Sequence, residues 1–92
     1  MMAESILDKA LEELSPRTSL FKIFLHLSLR GAMPPSQIAE ETGISPGTVR
    51  PALRTLLKRG YVTQREDGSY EAVEHLPLVE VLSHLYSKLL KG

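Results

Sequence analysis

The segment QIAEETGISPGTVRPALRTLLKRG, residues 37–60, constrains the fold of this 92-residue chain more than any other. Its apolar residues recur at helical spacing on both sides of a break at Gly43, Ile44 and Ser45. The spacing predicts a short helix over 36–42, with Ile38 and Ala39 inward, then a tight turn in which Gly43 takes the left-handed conformation, then a longer helix. At about 100° per residue, Val49, Leu53 and Leu56 share one side of the longer helix, flanked by Ala52 and Leu57, and that side is expected in the core. The opposite side collects Gly47, Pro51, Arg54, Thr55 and Lys58, with Thr48 and Arg50 at its margins and no acid.

Pro51 conflicts with a simple helix. An internal proline costs about 3 kcal/mol or more, because it lacks the N–H and its ring meets the carbonyl four residues earlier. That carbonyl belongs to Gly47, whose backbone tilts away most easily. With Thr48 as the effective N-cap, Pro51 would fall at the third helical position, where its N–H would have had no partner. The expectation is therefore an ordered α-helix from Thr48, preceded by a looser or 3₁₀ lead-in over 45–47.

The flanks supply the partners. Ile6, Leu7, Ala10, Leu11 and Leu14 predict a first helix ending before Pro16. Ser15 as N-cap and Pro16 as first helical residue predict a second, running to Arg30 and stopped by Gly31. Its seven apolar residues between Leu20 and Leu29 leave little polar surface, which makes it the core helix. Pro34 and Pro35 enforce an extended approach to the short helix. After Gly60 the pattern changes to YVTQRE, then Asp67-Gly68, then SYEAV, which predicts a hairpin with a two-residue loop. Pro77 opens a last helix with Leu78, Leu82, Leu85 and Leu89 in one row and Val79, Tyr86 and Leu90 in a second. The fold class expected is mainly α with a small β-hairpin. It forms one domain over 1–92, with an N-terminal helix over 1–15, a core over 16–74 and a C-terminal helix over 75–92.

Composition narrows the function. No apolar run approaches the ~18 residues that span a bilayer, and the acidic, amphipathic start lacks the features of a signal peptide, so a cytoplasmic protein with no membrane partner is expected. There is no cysteine, and His26, His75 and His84 do not have metal-ligand spacing, so no cofactor or metal is expected. Asparagine is absent and Gln37 and Gln64 are the two glutamines, in keeping with the depletion of thermolabile side chains in thermophile proteins. The net charge of zero hides a separation along the chain. Residues 42–65 hold Arg50, Arg54, Lys58, Arg59 and Arg65 with no acid, while residues 1–15 hold Glu4, Asp8, Glu12 and Glu13 against Lys9. Catalysis has one weak signal, the S-x-x-K match at Ser19 and Lys22, which lacks its companion motifs and falls in the core helix; the chain is expected not to be an enzyme.

In its order of elements, residues 16–74 resemble a winged helix-turn-helix domain of archaeal and bacterial transcription regulators, similar to the MarR, ArsR and TrmB groups. The resemblance is carried by QIAEETGISPGTVRPALRTLLKRGYV, with Ala39 at the close helix contact, Gly43 in the turn, Val49 and Leu53 inward, and Gly60, Tyr61 and Val62 leading into the wing. It covers about two thirds of the chain and implies that the acid-free face is a recognition surface for double-stranded DNA. On that face Arg54 suits bidentate reading of guanine. Arg50, Lys58 and Arg59 suit phosphates, and Ser45, Gly47 and Thr48 lie near the helix start. The ring of Pro51 either meets a thymine methyl or only stiffens the turn. In the wing, Gln64 and Arg65 are candidates, but Glu66 and Asp67 would repel phosphate, so the wing either contributes through those two residues alone or points away.

Leu7, Leu11 and Leu14, together with Leu78, Leu82, Leu85, Tyr86 and Leu89, offer more apolar surface than one such domain needs, which suggests a homodimer. Two recognition helices would then be about 34 Å apart. The function expected is a sequence-specific DNA-binding transcriptional regulator acting as a homodimer. The alternative is a winged-helix protein-interaction module of the transcription or replication machinery, with a less specific chromatin role as a third reading. Nothing polar marks a pocket for a small-molecule effector.

Overall fold

The computed structural model describes residues 6–14 and 18–74, and beyond them 82, 83, 86, 87 and 90. Four helices precede a hairpin: α1 (Ile6–Glu13), α2 (Ser19–Arg30), α3 (Pro35–Thr42) and α4 (Pro46–Lys58), then β1 (Val62–Gln64) and β2 (Tyr70–Ala72). The expected fold class is therefore observed, mainly helical with a two-stranded antiparallel wing.

Helix α2 begins later than the sequence suggested. Its N-cap is Thr18, whose hydroxyl accepts from the N–H of Phe21 at 3.3 Å and donates to the carbonyl of Leu14. One side chain thus starts α2 and ties it to the end of α1, which a cap at Ser15 would not do. Inside α2, Phe21, Ile23, Phe24 and Leu27 are buried, and the buried Ser28 is satisfied by its own helix, donating to the Phe24 carbonyl at 3.0 Å. Leu29 emerges at the surface, so the core helix is covered on fewer sides than its composition implied.

Met33, between α2 and α3, exchanges two backbone hydrogen bonds with Tyr70, at 3.1 and 2.9 Å. This single bridge adds a third, one-residue strand to the wing; the next donor on that edge would be residue 35, which is a proline and opens α3 instead. Pro34 is the extended N-cap of α3 and Pro35 its first helical residue, where a missing N–H costs nothing.

The turn into α4 is held on both sides. Gly43 has φ +76° and donates to the Ala39 carbonyl at 2.9 Å. Thr42 Oγ1 donates to the Ile38 carbonyl at 2.7 Å and accepts from Ile44 N–H at 3.2 Å. At the far end of α4, Tyr61 N–H bonds the Leu56 carbonyl at 2.9 Å and Gly60 N–H bonds Leu57 at 3.2 Å, with Gly60 at φ +85°. These paired six-to-one and five-to-two bonds are the standard glycine-terminated helix end, and they aim the chain into β1.

In the hairpin, Val62 pairs with Ala72, Thr63 with Glu71 and Gln64 with Tyr70. Arg65 N–H still reaches the Ser69 carbonyl at 2.8 Å, so the loop has three residues, 66–68, rather than the two expected from Asp67-Gly68. A β-turn closed by Gly68 N–H to Arg65 at 3.0 Å precedes Gly68 at φ +92°, the usual three-residue arrangement.

The core joins all these elements. Ala10 and Leu14 of the N-terminal segment belong to one buried cluster with Phe24, Ile38, Val49, Leu53, Leu56, Tyr61, Val62 and Ala72. Leu14, expected at a dimer interface, is 2% exposed within its own domain, and Leu11 packs partly against the same core. The inner face of α1 is thus consumed inside the chain, where Glu13 and Lys9 also meet Tyr61. The side chain of Leu7, and Leu78, Leu85 and Leu89 altogether, lie outside the described residues. Leu82 and Tyr86 are helical and remain 56% and 65% exposed, as does Leu90 at 71%.

Candidate nucleic-acid interface

α4 starts at Pro46 with Ser45 as N-cap, two residues before the expected start. Ser45 caps through its backbone: its carbonyl accepts from Thr48 N–H at 2.9 Å and from Val49 N–H at 3.0 Å. The first of these is a 3₁₀-type bond, so the tight lead-in exists, but as the first turn of the helix itself. Ser45 Oγ donates to Thr48 Oγ1 at 3.1 Å instead of capping a backbone group. Consequently Pro51 is the sixth helical residue and an interior proline. What outweighs its cost is the burial of Val49, Ala52, Leu53 and Leu56, which fixes the helix on the core from its first turn.

The opposite face is as the helical wheel required. Gly47, Thr48, Arg50, Pro51, Arg54, Lys58 and the C-capping Arg59 are all exposed. Thr55 is half-buried, its hydroxyl donating to the Pro51 carbonyl at 3.1 Å. Leu57, placed beside the core by the wheel, is 39% exposed and borders a shallow depression with Arg54, Thr55 and Lys58. Among the described residues, none of Arg50, Arg54, Lys58 and Arg59 forms an ion pair; the two ion pairs found involve Glu41. The result is a helix surface with several uncompensated cations and no carboxylate of its own, which favours a polyanion.

Beside this face a second depression is lined by Pro35 and Ser36 of α3 and by Pro46 and Arg50 of α4. Ser36 was not among the residues expected from the sequence. With the first turn of α3 it lies beside Arg50, an arrangement suited to an anion. The signal available in the sequence was the proline-started helix at Pro35, visible only once α3 and α4 are set side by side.

In the wing, Gln64 and Arg65 are exposed, as are Glu66 and Asp67. Asp67 Oδ1 accepts from Ser69 N–H at 2.9 Å, and this bond, ahead of the nearby Arg65 charge, holds its carboxyl below the usual range. The acid at the tip is thus built into the turn and stays charged.

The scaffold behind the face is set by Glu41. Its carboxylate takes His26 Nε2 at 2.7 Å and Gln37 Nε2 at 2.9 Å, with Arg30 Nε 3.6 Å away, which ties α2 to α3. The Gln37 bond, then the His26 bond, lower its pKa. A lowered carboxylate contributes stability above its unfolded pKa of 4.5 that is lost as pH falls through the folded value. Glu41→Gln should therefore lower the plateau above pH 4.5 slightly, leave stability at the acid end unchanged and so flatten the acid limb between them, as denaturant midpoints would read.

No group of three or more His, Cys, Asp and Glu residues suited to a metal occurs among the described residues, and no described helix is long and apolar enough to cross a membrane.

A short helix, a glycine turn, a second helix with a basic outward face and a following hairpin define a winged helix-turn-helix domain. Residues 20–66 match the IclR helix-turn-helix domain, and the chain belongs to that family. It is thus a DNA-binding domain of the transcription-regulator class; the match does not extend to the MarR, ArsR or TrmB groups. No curated protein matches the chain.

Proposed function

We propose that this protein is a sequence-specific, double-stranded-DNA-binding transcriptional regulator that acts in the cytoplasm as a homodimer and needs no cofactor for binding. The observation that carries this reading is the outward face of α4, which bears exposed, unpaired Arg50, Arg54 and Lys58 and no acid. α4 enters the major groove. Arg54, at the centre of the face, reads guanine through its N7 and O6, while Arg50, Lys58 and Arg59 hold phosphates. Ser45, Gly47 and Thr48 lie at the helix start, the end that approaches base edges most closely in this class of domain. Gln64 and Arg65 contribute from the wing.

Arg54→Ala should weaken binding to the preferred duplex by about 1–3 kcal/mol and relax selectivity at one base pair per half-site. Because Arg54 is exposed, circular dichroism and thermal midpoint should stay unchanged. Fluorescence anisotropy reads the first effect, and unchanged affinity would remove Arg54 from the reading.

Dimerisation is supported by the exposed apolar residues Leu82, Tyr86 and Leu90, which recur every four residues on one helical face. α1 contributes less than its composition suggests, since Leu14 is already buried at home. Leu82→Glu together with Tyr86→Glu should shift sedimentation equilibrium from dimer to monomer and reduce affinity for a two-half-site duplex far more than for a single half-site. A monomeric wild type would refute this part.

One observation favours a second reading. The wing tip exposes Glu66 and Asp67 and the chain has zero net charge, both of which suit a winged helix that docks on a basic protein surface. Retained DNA binding in Glu66→Ala and Asp67→Ala, combined with loss in Arg54→Ala, would favour the regulator over this module.

A further inference from the structure

The outward face of α4 is well supplied with donors and poorly supplied with acceptors. Arg50, Arg54, Lys58 and Arg59 can only donate, and residues 44–60 contain no Asp, Glu, Asn or Gln. Such a face can read the acceptor edge of guanine. It has no carboxylate or side-chain amide with which to read the exocyclic amines of cytosine or adenine, the donors that the major groove displays. Its hydroxyls at Ser45 and Thr48 bond each other at 3.1 Å and keep only single lone-pair acceptors, not the paired donor and acceptor of a side-chain amide.

Pro51 supplies what the side chains lack. As the sixth residue of α4 it occupies the position whose N–H would take the Gly47 carbonyl in a regular helix. That N–H does not exist in proline, and the ring in its place presses the carbonyl outward from the helix axis. The other carbonyls of the same face keep an N–H four residues on, Arg50 at Arg54 and Pro51 at Thr55, and Pro51 takes the Thr55 hydroxyl as well. Gly47 has no side chain, is exposed, and apart from its chain neighbours and its own helix's backbone has no atom within 4 Å of where a Cβ would stand. Its main chain can therefore approach a base edge more closely than any other residue of the face.

We infer that Pro51 and Gly47 act together as a specificity device, in which the Gly47 carbonyl accepts a hydrogen bond from the exocyclic amine of a cytosine or adenine in the major groove. An uncharged main-chain acceptor does this without the phosphate repulsion that a carboxylate would bring. The inference rests on the reading of α4 as the recognition helix.

The test uses the full chain and a duplex selected by the wild-type protein from a random pool. Each adenine of the site is replaced in turn by purine, each cytosine by 2-pyrimidinone and each thymine by uracil, which delete the 6-amino, the 4-amino and the methyl group. Wild type and Pro51→Ala are compared by anisotropy, with circular dichroism confirming that the variant folds. The inference expects one position per half-site where deleting the amine weakens the wild type by about two- to tenfold and leaves Pro51→Ala unaffected, since alanine restores the N–H that consumes the carbonyl. Equal amine sensitivity in both proteins at every position would overturn it. So would a difference confined to the thymine-to-uracil series, which would assign the role to the proline ring. If the wild type selects no site at all, the recognition-helix reading fails and this inference with it. Selection that Arg54→Ala abolishes keeps the former and leaves the amine series to decide the latter.

Discussion

Tyr61→Ala is expected to destabilise the protein by about 3–5 kcal/mol, the range for deleting a fully buried aromatic ring. Against the 5–15 kcal/mol of an ordinary domain, this removes much of the margin of a small one. Tyr61 is the largest fully buried side chain among the described residues, and its ring meets Phe24 edge to face at 5.3 Å and 67°. Its hydroxyl donates to Glu13 Oε1 at 2.6 Å, and Lys9 Nζ lies 5.2 Å from the ring centre. The residue thus joins α1, α2, the end of α4 and the root of the wing. Losing it should also weaken DNA binding by loosening the base of α4, with none of the proposed contact residues changed. Chemical denaturation gives the size of the effect. Tyr61→Phe keeps the ring and should cost only about 1 kcal/mol.

Alkaline pH separates these two roles of Tyr61. Burial, then the bond to Glu13, raises the phenol well above its ordinary value of 10.0. The folded protein holds this proton where the unfolded chain has released it, so the contribution is complete below pH 10 and declines as pH rises above it. Denaturant midpoints of the wild type should therefore fall above pH 10 more steeply than those of Tyr61→Phe.

Pro51→Ala should act in the opposite sense on stability. An interior proline costs about 3 kcal/mol, and part of this is offset by its lower entropy in the unfolded chain, which leaves a gain of about 2 kcal/mol for alanine. For a domain of this size that corresponds to a rise of about 8–16 °C in thermal midpoint. The same variant is expected to select its DNA site less sharply. A protein made more stable and less discriminating by one substitution is what a strained recognition element predicts. A fall in thermal midpoint would instead show that α4 has already adapted to the proline.

Much of this was readable from the sequence where a local rule had no competitor. Gly31 and Gly43 ended their helices as expected, and the periodicity of Val49, Leu53 and Leu56 separated the core side of α4 from the exposed one. Elsewhere a contact between distant residues decided the matter. Ser15 and Thr18 are equally good caps by type, and Thr18 is selected because its hydroxyl also reaches the Leu14 carbonyl. The cost of Pro51 argued for a helix beginning at Thr48, yet core packing and the Ser45 carbonyl carry the helix back to Pro46. Asp67-Gly68 suggested a two-residue loop, but Asp67 bonds Ser69 N–H and Gly68 takes the left-handed third position. The rung at Met33 could not be seen, since one residue has no period. Leu14 looked spare only because nothing local reveals that α1 joins the buried cluster and reaches Tyr61.

The most direct test of the central claim, that the face of α4 binds DNA with sequence preference, is anisotropy of the full chain with its selected duplex and a scrambled one across a salt series. Tight binding to the selected duplex is expected, with a linear fall of log K with log salt reflecting the phosphate contacts and a clear gap from the scrambled duplex at every salt concentration. Equal weak binding to both duplexes, or none at low salt, would contradict that claim.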